Sequence, residues 1–454
     1  AHHPVRPLAP LPSDLPEVEA AARLPRGFEA LGTTAGIKDS GAPDLALVLV
    51  QDGPAAVAAT FTTSRLPAAS VRMNKEHLAA TAPEGEGRYG WVDAMMTTSG
   101  CANAATGDAG LADQRSLAAT LATHAGTEPE RVLAMSTGLI GTRLPVQRVA
   151  NALTAVSGSF HSDDAAFADV AEALRTTDSR AKAAAVRVSL PAAGGGTATV
   201  TVSGVAKGVG MIHPNMATML SYVLTDASVQ PQTLSRLLRP IVARTWNQNS
   251  VDGDQSTNDT VLLVASGAAG TAPLEDDPEA LATFGRAVEA VARSLSRQQA
   301  ADGEGAATLI TCGVSGGADD ADARAAARAV VSSDLLKAAV HGADPNWGRI
   351  AMAVGNAVVA GAEVLEAAGL EPDVARARVG QPVALDPDRL QIDIEGTPVF
   401  AGVPLEYDEA ALSARMRDGD VTIRVDLGLG QGTGEAFGCD LTCEYVIENS
   451  EYST

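Results

Sequence analysis

Short apolar segments rich in β-branched residues alternate along the chain with longer, alanine-rich segments of helical periodicity. The short segments are bounded by Gly, Asp or Ser, which is typical of buried strands that end in turns. Strands are predicted over residues 45–50, 56–62, 93–98, 132–136, 198–205, 219–225, 260–265, 307–312, 421–426 and 439–447. Helices are predicted over residues 111–124, 146–159, 164–175, 232–247, 278–301, 321–341 and 409–417. With hairpins expected at 189–200 and 391–400, the pattern predicts an α/β fold (α+β) of mixed sheets layered with helices.

Composition limits the classes of function that this chain can have. Its 454 residues suggest two or three domains, or one large α/β unit. Because 46% of the residues are hydrophobic, the chain can bury a substantial core, which excludes disorder of the whole chain. The formal net charge of −22 argues against nucleic acid or an anionic membrane surface. We therefore expect neither among its partners.

The N-terminal segment and the cysteines indicate a reducing compartment. Residues 1–26 lack the apolar centre of a signal peptide, and we interpret them as a mobile leader. Four cysteines are too few for a disulfide scaffold, and Cys439 and Cys443 lack a second ligand pair at zinc spacing, so no metal is expected. At strand periodicity these two cysteines would face the same core. The predicted location is cytoplasmic.

The segment KGVGMIHPNMATML, from Lys207 to Leu220, carries the most informative chemistry. Thr218 follows Ala217 and directly precedes an apolar strand. If the Thr218 hydroxyl attacks the preceding carbonyl and the peptide bond breaks, the chain gains an N-terminal threonine. Its free α-amine titrates near neutral pH and can act as base for its own hydroxyl. On residue types alone, a threonine that merely opens a strand explains the segment more simply.

This segment and a series of further motifs resemble the ornithine acetyltransferase (glutamate N-acetyltransferase) family. The matching motifs occur in order from residue 27 to the last residue. They are GFEA (27–30), AGIK (35–38), DLAL (44–47), SGCANA (99–104), STGLIG (136–141), TTD (176–178), VDGDQSTNDT (251–260), DGEGA (302–306), DPNWGR (344–349), CDLT (439–442) and NSEYST (449–454). A match over so many motifs in one order makes the resemblance specific.

The resemblance implies a self-processing fold like that of N-terminal-nucleophile enzymes. Cleavage between Ala217 and Thr218 would divide the chain, after the leader, into an α chain (27–217) and a β chain (218–454) that form one catalytic unit. Thr218 would take the acetyl group from N-acetylornithine and pass it to glutamate in arginine biosynthesis, which predicts ping-pong kinetics. Some members of the family also use acetyl-CoA as donor, and no other cofactor is implied. The implied assembly is an (αβ)2 heterotetramer.

The resemblance also implies roles for individual side chains. Thr137 and Gly138 would form the oxyanion hole that stabilises the tetrahedral intermediate. The implied substrate-binding residues are Thr176, Lys207, Thr218, Glu304, Asn449 and Thr454. By charge, Lys207 suits a substrate carboxylate and Glu304 suits an ammonium group. On residue types alone, both could equally be solvated side chains, and the C-terminal residues could be a frayed end.

Departures from the family pattern leave the substrate range open. Cys101 and Ser64 stand where the family usually has Asn, and residues 248–250 read QNS rather than RIT. The motif DGDQS (252–256) is interpreted as a hydrogen-bonded loop near the active site rather than a magnesium or calcium site. Two other functions use the same Thr nucleophile: an amidase or aminopeptidase, with water as acceptor, and an acyltransferase of specialised metabolism with another acceptor.

Overall fold

The computed structural model describes residues 5–8, 14–213, 219–359 and 361–451. Its strands are β1 (Phe28–Thr33), β2 (Leu45–Val50), β3 (Ala55–Phe61), β4 (Tyr89–Val92), β5 (Ala94–Cys101), β6 (Val132–Leu139), β7 (Lys182–Pro191), β8 (Thr197–Lys207), β9 (Leu220–Thr225), β10 (Asn249–Ser250), β11 (Thr260–Ala265), β12 (Leu309–Gly317), β13 (Gln391–Ile394), β14 (Thr397–Ala401), β15 (Val421–Asp426) and β16 (Gly432–Cys439). Its helices are α1 (Ala69–Thr81), α2 (Gly107–Ala125), α3 (Val146–Ala155), α4 (Asp164–Leu174), α5 (Pro231–Arg244), α6 (Pro278–Ala301), α7 (Asp320–Val331), α8 (Asp334–His341), α9 (Trp347–Gly355), α10 (Ala362–Ala367), α11 (Pro372–Arg378), α12 (Glu409–Arg417) and α13 (Cys443–Glu451).

Two sheets pack face to face and form the central layers of the molecule. The first sheet has the order β1-β2-β5-β6, and the second has the order β4-β3-β11-β9-β8-β7. Val48 and Met95 of the first sheet share one buried core with Tyr222 and Leu262 of the second, and α4 adds Phe167. Alternate strand residues point to the opposite faces. Each sheet therefore has a second apolar face that must be covered by helices.

Helices cover both outer faces of this pair of sheets. Helices α1, α2 and α3 pack on the first sheet around residues such as Leu47 and Leu117. Helices α5 and α6 pack on the second sheet around residues such as Val223 and Phe284. The result is a helix–sheet–sheet–helix sandwich, which confirms the predicted α/β class with mixed sheets. Among the described residues, no helix is both long and apolar enough to cross a bilayer.

A third sheet, with the order β10-β16-β12-β15-β13-β14, builds the remaining part of the molecule. It packs against α7, α8, α9 and α12 through a core that includes Ile310, Val330 and Leu412. The short strand β10 pairs with β16 and directly follows the segment after α5. This pairing brings the loop between β10 and β11 to the boundary between the third sheet and the sandwich.

Several predicted elements have the expected bounds, and others differ for identifiable reasons. Helix α6 has the predicted bounds, and both expected hairpins form, as β7–β8 and β13–β14. The single helix predicted over 321–341 is divided into α7 and α8, because the hydroxyl of Ser333 caps a new helix by accepting from the Leu336 amide at 3.3 Å. Helix α1 was not predicted, since its apolar and polar residues show little periodicity along the sequence.

The strand predicted over residues 439–447 is wrong. Strand β16 ends at Cys439, and α13 begins at Cys443. The β-branched Val446 and Ile447 favour a strand by propensity, but α13 lies at the surface with no buried residue. Thr442 accepts a hydrogen bond from the Tyr445 amide at 3.2 Å and starts the helix. Cys439 is buried and Cys443 is exposed, so the shared core face predicted for them is wrong as well.

The described residues of the leader contact the body of the protein. The main chains of Glu19 and Ala185 form a two-way bridge with N···O distances of 2.9 and 2.8 Å. The amide of Leu24 donates to Asp164 Oδ1 at 2.9 Å, and Arg6 Nε donates to Asp426 Oδ2 at 3.0 Å. These residues therefore pack against the sandwich and the third sheet, while the division into leader, α chain and β chain stays a prediction.

A buried cluster of charges joins α4, β7 and the end of α6. The ammonium group of Lys182 lies 2.7 Å from Asp178 Oδ1 and 2.7 Å from Asp302 Oδ2. Burial alone would raise the pKa of Asp178. The positive charges of Lys207 and Lys182, with hydrogen bonds from Lys182 and from the Gly208 amide, instead lower it to about 2. Asp178 is therefore ionised over the whole physiological pH range and holds these segments together.

Replacing Asp178 with Asn should destabilise the protein in a pH-dependent way. The variant leaves buried lysines with one counter-charge fewer, so we expect a loss of about 3 kcal/mol in the free energy of unfolding at pH 7. The pKa of Asp178 is lower in the folded chain than its ordinary value of 3.8. Its stabilisation is therefore present above pH 4 and lost as the pH falls toward 2, and the gap between variant and wild type should narrow over that range.

Urea unfolding at a series of pH values measures this gap. Asp373→Asn is a matched control, because Asp373 pairs with Arg376 at the surface with its side chain 94% exposed. The control should change stability little at any pH. Equal effects of the two substitutions, or a gap that widens in acid, would contradict the role given to the cluster.

Candidate active site

Strand ends from both sheets of the sandwich meet at a cavity of about 390 Å³. Strand β6 contributes Thr137 and Gly138, and β8 contributes Lys207 at its last position. The cavity is also bounded by the loop after α4, the loop before β11, the turn after α6 and helix α13. Six predicted site residues line it together: Thr137, Gly138, Thr176, Lys207, Glu304 and Asn449. The predicted residues Ala217, Thr218 and Thr454 lie outside the described residues.

Gly138 has a backbone conformation and surroundings that require glycine. Its φ of +130° lies in the region that side chains rarely adopt. A Cβ atom at Gly138 would lie 2.3 Å from the carbonyl carbon of Gly100 and 2.5 Å from the amide of Cys101. Strands β5 and β6 thus approach closely at this bulge, and Thr137 and Gly138 of β6 line the cavity. Main-chain amides at such a position are the usual components of an oxyanion hole.

Lys207 is a buried cation at the centre of the site. Its side chain is buried, and its ammonium group donates to Thr137 Oγ1 at 3.2 Å. Burial lowers the pKa of Lys207 below its usual value, although the charges of Asp178 and Glu304 oppose this effect. The interpretation of Lys207 as a solvated lysine is therefore wrong. A buried ammonium group that forms no close ion pair with any described residue is suited to bind a carboxylate.

Glu304 places a negative charge in the same cavity. Its Oε1 accepts from the Thr177 hydroxyl at 2.9 Å, and its Oε2 accepts from the Asn449 amide at 2.9 Å. A Cβ atom at Gly210 would lie 2.2 Å from Glu304 Oε2, so this glycine makes room for the carboxylate. Glu304 is half-buried rather than exposed. Thr176 and Thr177 both line the cavity, and Thr177 is the one whose hydroxyl holds Glu304.

The loop that contains Asp252 holds the main chain that leads toward residue 214. Asp252 accepts hydrogen bonds from the amides of Met211 and Ile212 at 2.5 and 2.9 Å. Tyr445 of α13 donates to Asp252 at 3.3 Å. Burial raises the pKa of Asp252. Burial and the negative charges of Asp252 and Glu304 also raise the pKa of Tyr445, so the tyrosine stays protonated and can donate a hydrogen bond. The motif is thus a hydrogen-bonded loop at the cavity.

His213, the last described residue before position 219, is fixed and uncharged. Its Nδ1 lies 3.1 Å from the hydroxyl of Ser250. Burial lowers the pKa of His213 to about 4, and the nearby guanidinium group of Arg328 lowers it further. At neutral pH this imidazole is therefore neutral. Among the described residues, no group of three His, Cys, Asp or Glu side chains is arranged to hold a metal ion.

The positions that depart from the family pattern do not line the cavity. Cys101 is buried next to Gly138, and its thiol donates to the main-chain oxygen of Thr142 at 3.1 Å. Ser64 lines a separate cavity on the other side of the loop at residues 62–64. Gln248 donates to the main-chain oxygens of Arg324 in α7 and of Glu435 in β16. These departures therefore lie around the site rather than in contact with its cavity.

The sequence interpretation missed three groups that support the site. Asp178 and Asp302 form the buried cluster with Lys182, and Asp259 is wholly buried next to the start of β9. Asp178, Asp259 and Asp302 lie within matched motifs, but a single aspartate in a sequence gives no indication of burial. The only local signal is a lysine at the start of an apolar strand, Lys182 in β7. Its charge requires buried partners.

The arrangement of these groups suits an acyl transfer on a small zwitterionic molecule. Lys207 and Glu304, a cation and an anion, both line a cavity of about 390 Å³, and the cation contacts Thr137 of β6. Lys207 can hold a carboxylate while Glu304 holds an ammonium group. The main chain at Thr137 and Gly138 can then stabilise negative charge that develops on a carbonyl oxygen.

Comparisons with known proteins agree with this chemistry. A family model described as the ArgJ family matches residues 29–454. The arginine biosynthesis bifunctional protein ArgJ of Thermus thermophilus is 43% identical over 434 residues, which cover 96% of this chain and 100% of that protein. The protein of the same name from Deinococcus radiodurans is 42% identical, with 95% of this chain and 98% of that protein covered.

Among solved structures, the ornithine acetyltransferase of Mycobacterium tuberculosis complexed with ornithine is 32% identical and matches with a TM-score of 0.38. The match covers 45% of this chain and 99% of that one. The ArgJ family match spans nearly the whole chain, and the resemblance seen in the motifs is thereby confirmed. This chain belongs to the ArgJ family.

Proposed function

We propose that the chain transfers an acetyl group from N-acetylornithine to glutamate, through an acetyl ester on Thr218, in arginine biosynthesis. The observation that carries this proposal is the pair of opposite charges that line one cavity, Lys207 beside Thr137 and Glu304 beside Thr177 and Asn449. N-acetylornithine has one carboxylate and one side-chain ammonium group, because its α-nitrogen is acetylated. The cavity offers one partner for each. The names of the relatives, arginine biosynthesis bifunctional proteins, support the same assignment.

The first half of the reaction forms the ester. After cleavage between Ala217 and Thr218, the new α-amine takes the proton of the Thr218 hydroxyl, and the hydroxyl oxygen attacks the acetyl carbonyl carbon. The carbonyl oxygen becomes negatively charged and is held by donors at Thr137 and Gly138. When the carbon–nitrogen bond breaks, the proton passes to the departing nitrogen, and ornithine leaves. Lys207 stays charged throughout and holds the donor by its carboxylate.

The second half of the reaction transfers the acetyl group to glutamate. Glutamate binds its α-carboxylate at Lys207, and its neutral amine attacks the ester carbonyl. The ester bond breaks, the Thr218 oxygen regains a proton, and N-acetylglutamate leaves. An acceptor bound at a buried cation competes well with water, which is what separates a transferase from a hydrolase that uses the same nucleophile.

The remaining expectations extend this proposal. The word bifunctional in the relatives' names supports a second activity, the acetylation of glutamate with acetyl-CoA as donor. The use of acetyl-CoA, the (αβ)2 assembly and the cytoplasmic location stay predictions. The α and β chains would remain associated after cleavage, because β8 of the one and β9 of the other are neighbours in the second sheet.

The first prediction concerns cleavage. Purified wild-type protein should separate under denaturing conditions into fragments of residues 1–217 and 218–454, seen by intact mass and by a second N-terminus beginning Thr-Met-Leu-Ser. Thr218→Ala should stay uncut and inactive, because it lacks the hydroxyl that attacks the preceding carbonyl. Thr218→Ser keeps a hydroxyl and should be cut. Full activity in an uncut wild-type chain would refute the acetyl-Thr218 route.

The second prediction concerns the oxyanion hole. Gly138→Ala should lower kcat about 100-fold, because the added methyl group pushes the β5 main chain away and displaces a donor to the oxyanion. Gly141→Ala is the matched control: its φ of +83° is also positive, but nothing lies within 4 Å of its Cβ position. The control should cost some stability with little change in kcat. Similar kcat values for the two variants would argue against an oxyanion hole at Gly138.

The third prediction concerns the ammonium group of the donor. Glu304→Gln should lower kcat/KM for N-acetylornithine about 10- to 100-fold, since a hydrogen bond between charged groups is replaced by a weaker one. N-acetylnorvaline, which lacks the side-chain ammonium group, is the matched substrate. Wild type should prefer N-acetylornithine over it, and the variant should not. A variant that discriminates as strongly as wild type would show that Glu304 does not bind this group.

A further inference from the structure

Two consecutive buried side chains, Asn258 and Asp259, lie directly before β11 and are called here the Asn258–Asp259 pair. Asn258 is 3% exposed and Asp259 is 0% exposed. The hydroxyl of Thr260 donates to the main-chain oxygen of Asn258 at 3.0 Å. The amide of Thr62 donates to the main-chain oxygen of Asp259 at 2.9 Å. The main chain of the pair is therefore fixed, and its two side chains extend to different strands.

The side chain of Asn258 binds the main chain beside the proposed oxyanion hole. Its Nδ2 lies 2.7 Å from the main-chain oxygen of Ser136, which precedes Thr137. The same nitrogen lies 2.8 Å from the main-chain oxygen of Ala102, in the neighbouring segment after β5. Its Oδ1 accepts from the Thr257 hydroxyl at 2.6 Å, which fixes the orientation of the amide. Asn258 thus fixes the main chain of both strands at the β5–β6 bulge.

The side chain of Asp259 binds the main chain next to the proposed nucleophile. Its Oδ1 accepts from the amide of Met219 at 3.0 Å. Met219 is bonded to Thr218, and the Met219 oxygen accepts from the Thr260 amide at 3.0 Å. The first residue of the β chain after the nucleophile is thus held on both sides by the segment that carries the pair.

We propose that the Asn258–Asp259 pair sets the distance between the nucleophile and the oxyanion hole, with Asp259 acting as an uncharged hydrogen-bond acceptor. This inference rests on the proposed function, which assigns Thr218 and Gly138 their roles. The pair links the main chain beside Gly138, in the first sheet, with the main chain of Met219, directly before β9 of the second sheet. A displacement of about 1 Å between reacting groups can lower the rate about 100-fold. Both members are positioning residues.

The surroundings of Asp259 favour the uncharged form. Its carboxyl group has no solvent contact, and its Oδ2 makes no hydrogen bond to any described residue. A carboxylate in this setting would keep an incompletely compensated charge in the protein interior, which is costly. In agreement, burial raises the pKa of Asp259 well above its usual value, against the effects of the Met219 amide, the Ser256 hydroxyl and the charge of Lys207.

The role of Asn258 is tested by the split between kcat and KM. Asn258→Leu removes the amide that holds the main chain of Ser136, so kcat should fall about 100-fold. KM for N-acetylornithine should stay within about three-fold, because Asn258 does not hold the groups that bind the donor. Gln114→Leu is the matched control, since it also removes a wholly buried amide, from α2. The control should leave kcat unchanged. A loss of stability in Asn258→Leu without a fall in kcat would overturn the proposal.

The role of Asp259 is tested by self-cleavage, which needs no substrate. Asp259→Leu should slow the appearance of the β chain about 100-fold, because the Met219 amide loses its acceptor. Asp259→Asn keeps an uncharged oxygen acceptor and should restore cleavage to within about five-fold of wild type. Its pH profile of cleavage should match that of wild type over roughly pH 6 to 9, because under this proposal neither acceptor carries a charge there.

Two outcomes would overturn the proposal. Wild-type cleavage in Asp259→Leu would remove the positioning role, and an Asp259→Asn variant as slow as Asp259→Leu would show that a charge is needed. If circular dichroism shows that Asp259→Leu does not fold, the cleavage rate of Asp259→Asn decides alone. A rate within about five-fold of wild type supports the proposal, and a rate about 100-fold lower overturns it. A wild-type chain that cleaves but transfers no acetyl group would contradict the proposed function and leave the cleavage test valid.

Discussion

The site depends on a buried ammonium group, that of Lys207, at the end of a central strand. Such a charge is stable in the interior only where hydrogen bonds and nearby carboxylates compensate it. Here Thr137 accepts from it directly, and the charges of Asp178 and Glu304 act on it at longer range. Because these carboxylates come from separate segments, the placement of one cation requires that all of those segments be in place.

The layered architecture explains how those segments meet. The parallel pairing of β5 with β6 opens a bulge at Gly100 and Gly138, and Gly138 lines the cavity. In the second sheet, β8 ends where β9 and β11 begin, so that Lys207, the start of β9 and the Asn258–Asp259 pair lie at one end of the sheet. Helix α13 closes the cavity through Tyr445 and Asn449. Acyl chemistry and substrate binding thus occupy one end of the sandwich.

Most of the strands and the composition of the site could be predicted from the sequence, but the support of the site could not. Short continuous apolar runs identify β2 and β11, and a periodic apolar face identifies α6. Motif resemblance identified Thr137, Lys207 and Glu304 by their types and order. The roles of Asp178 and Asp259 could not be predicted, because these roles depend on burial rather than on residue type. Helix α13 was mistaken for a strand because β-branched residues favour strands only where a neighbouring strand exists.

The central claim is that an acetyl group rests on Thr218 between donor and acceptor. The most direct test is mass spectrometry of the β chain after mixing wild-type protein with N-acetylornithine alone, followed by peptide mapping. We expect one additional acetyl group on the peptide that begins with Thr218, and its loss when glutamate is added, with N-acetylglutamate formed. An unmodified peptide while ornithine is released, or an acetyl group on another residue, would contradict the account.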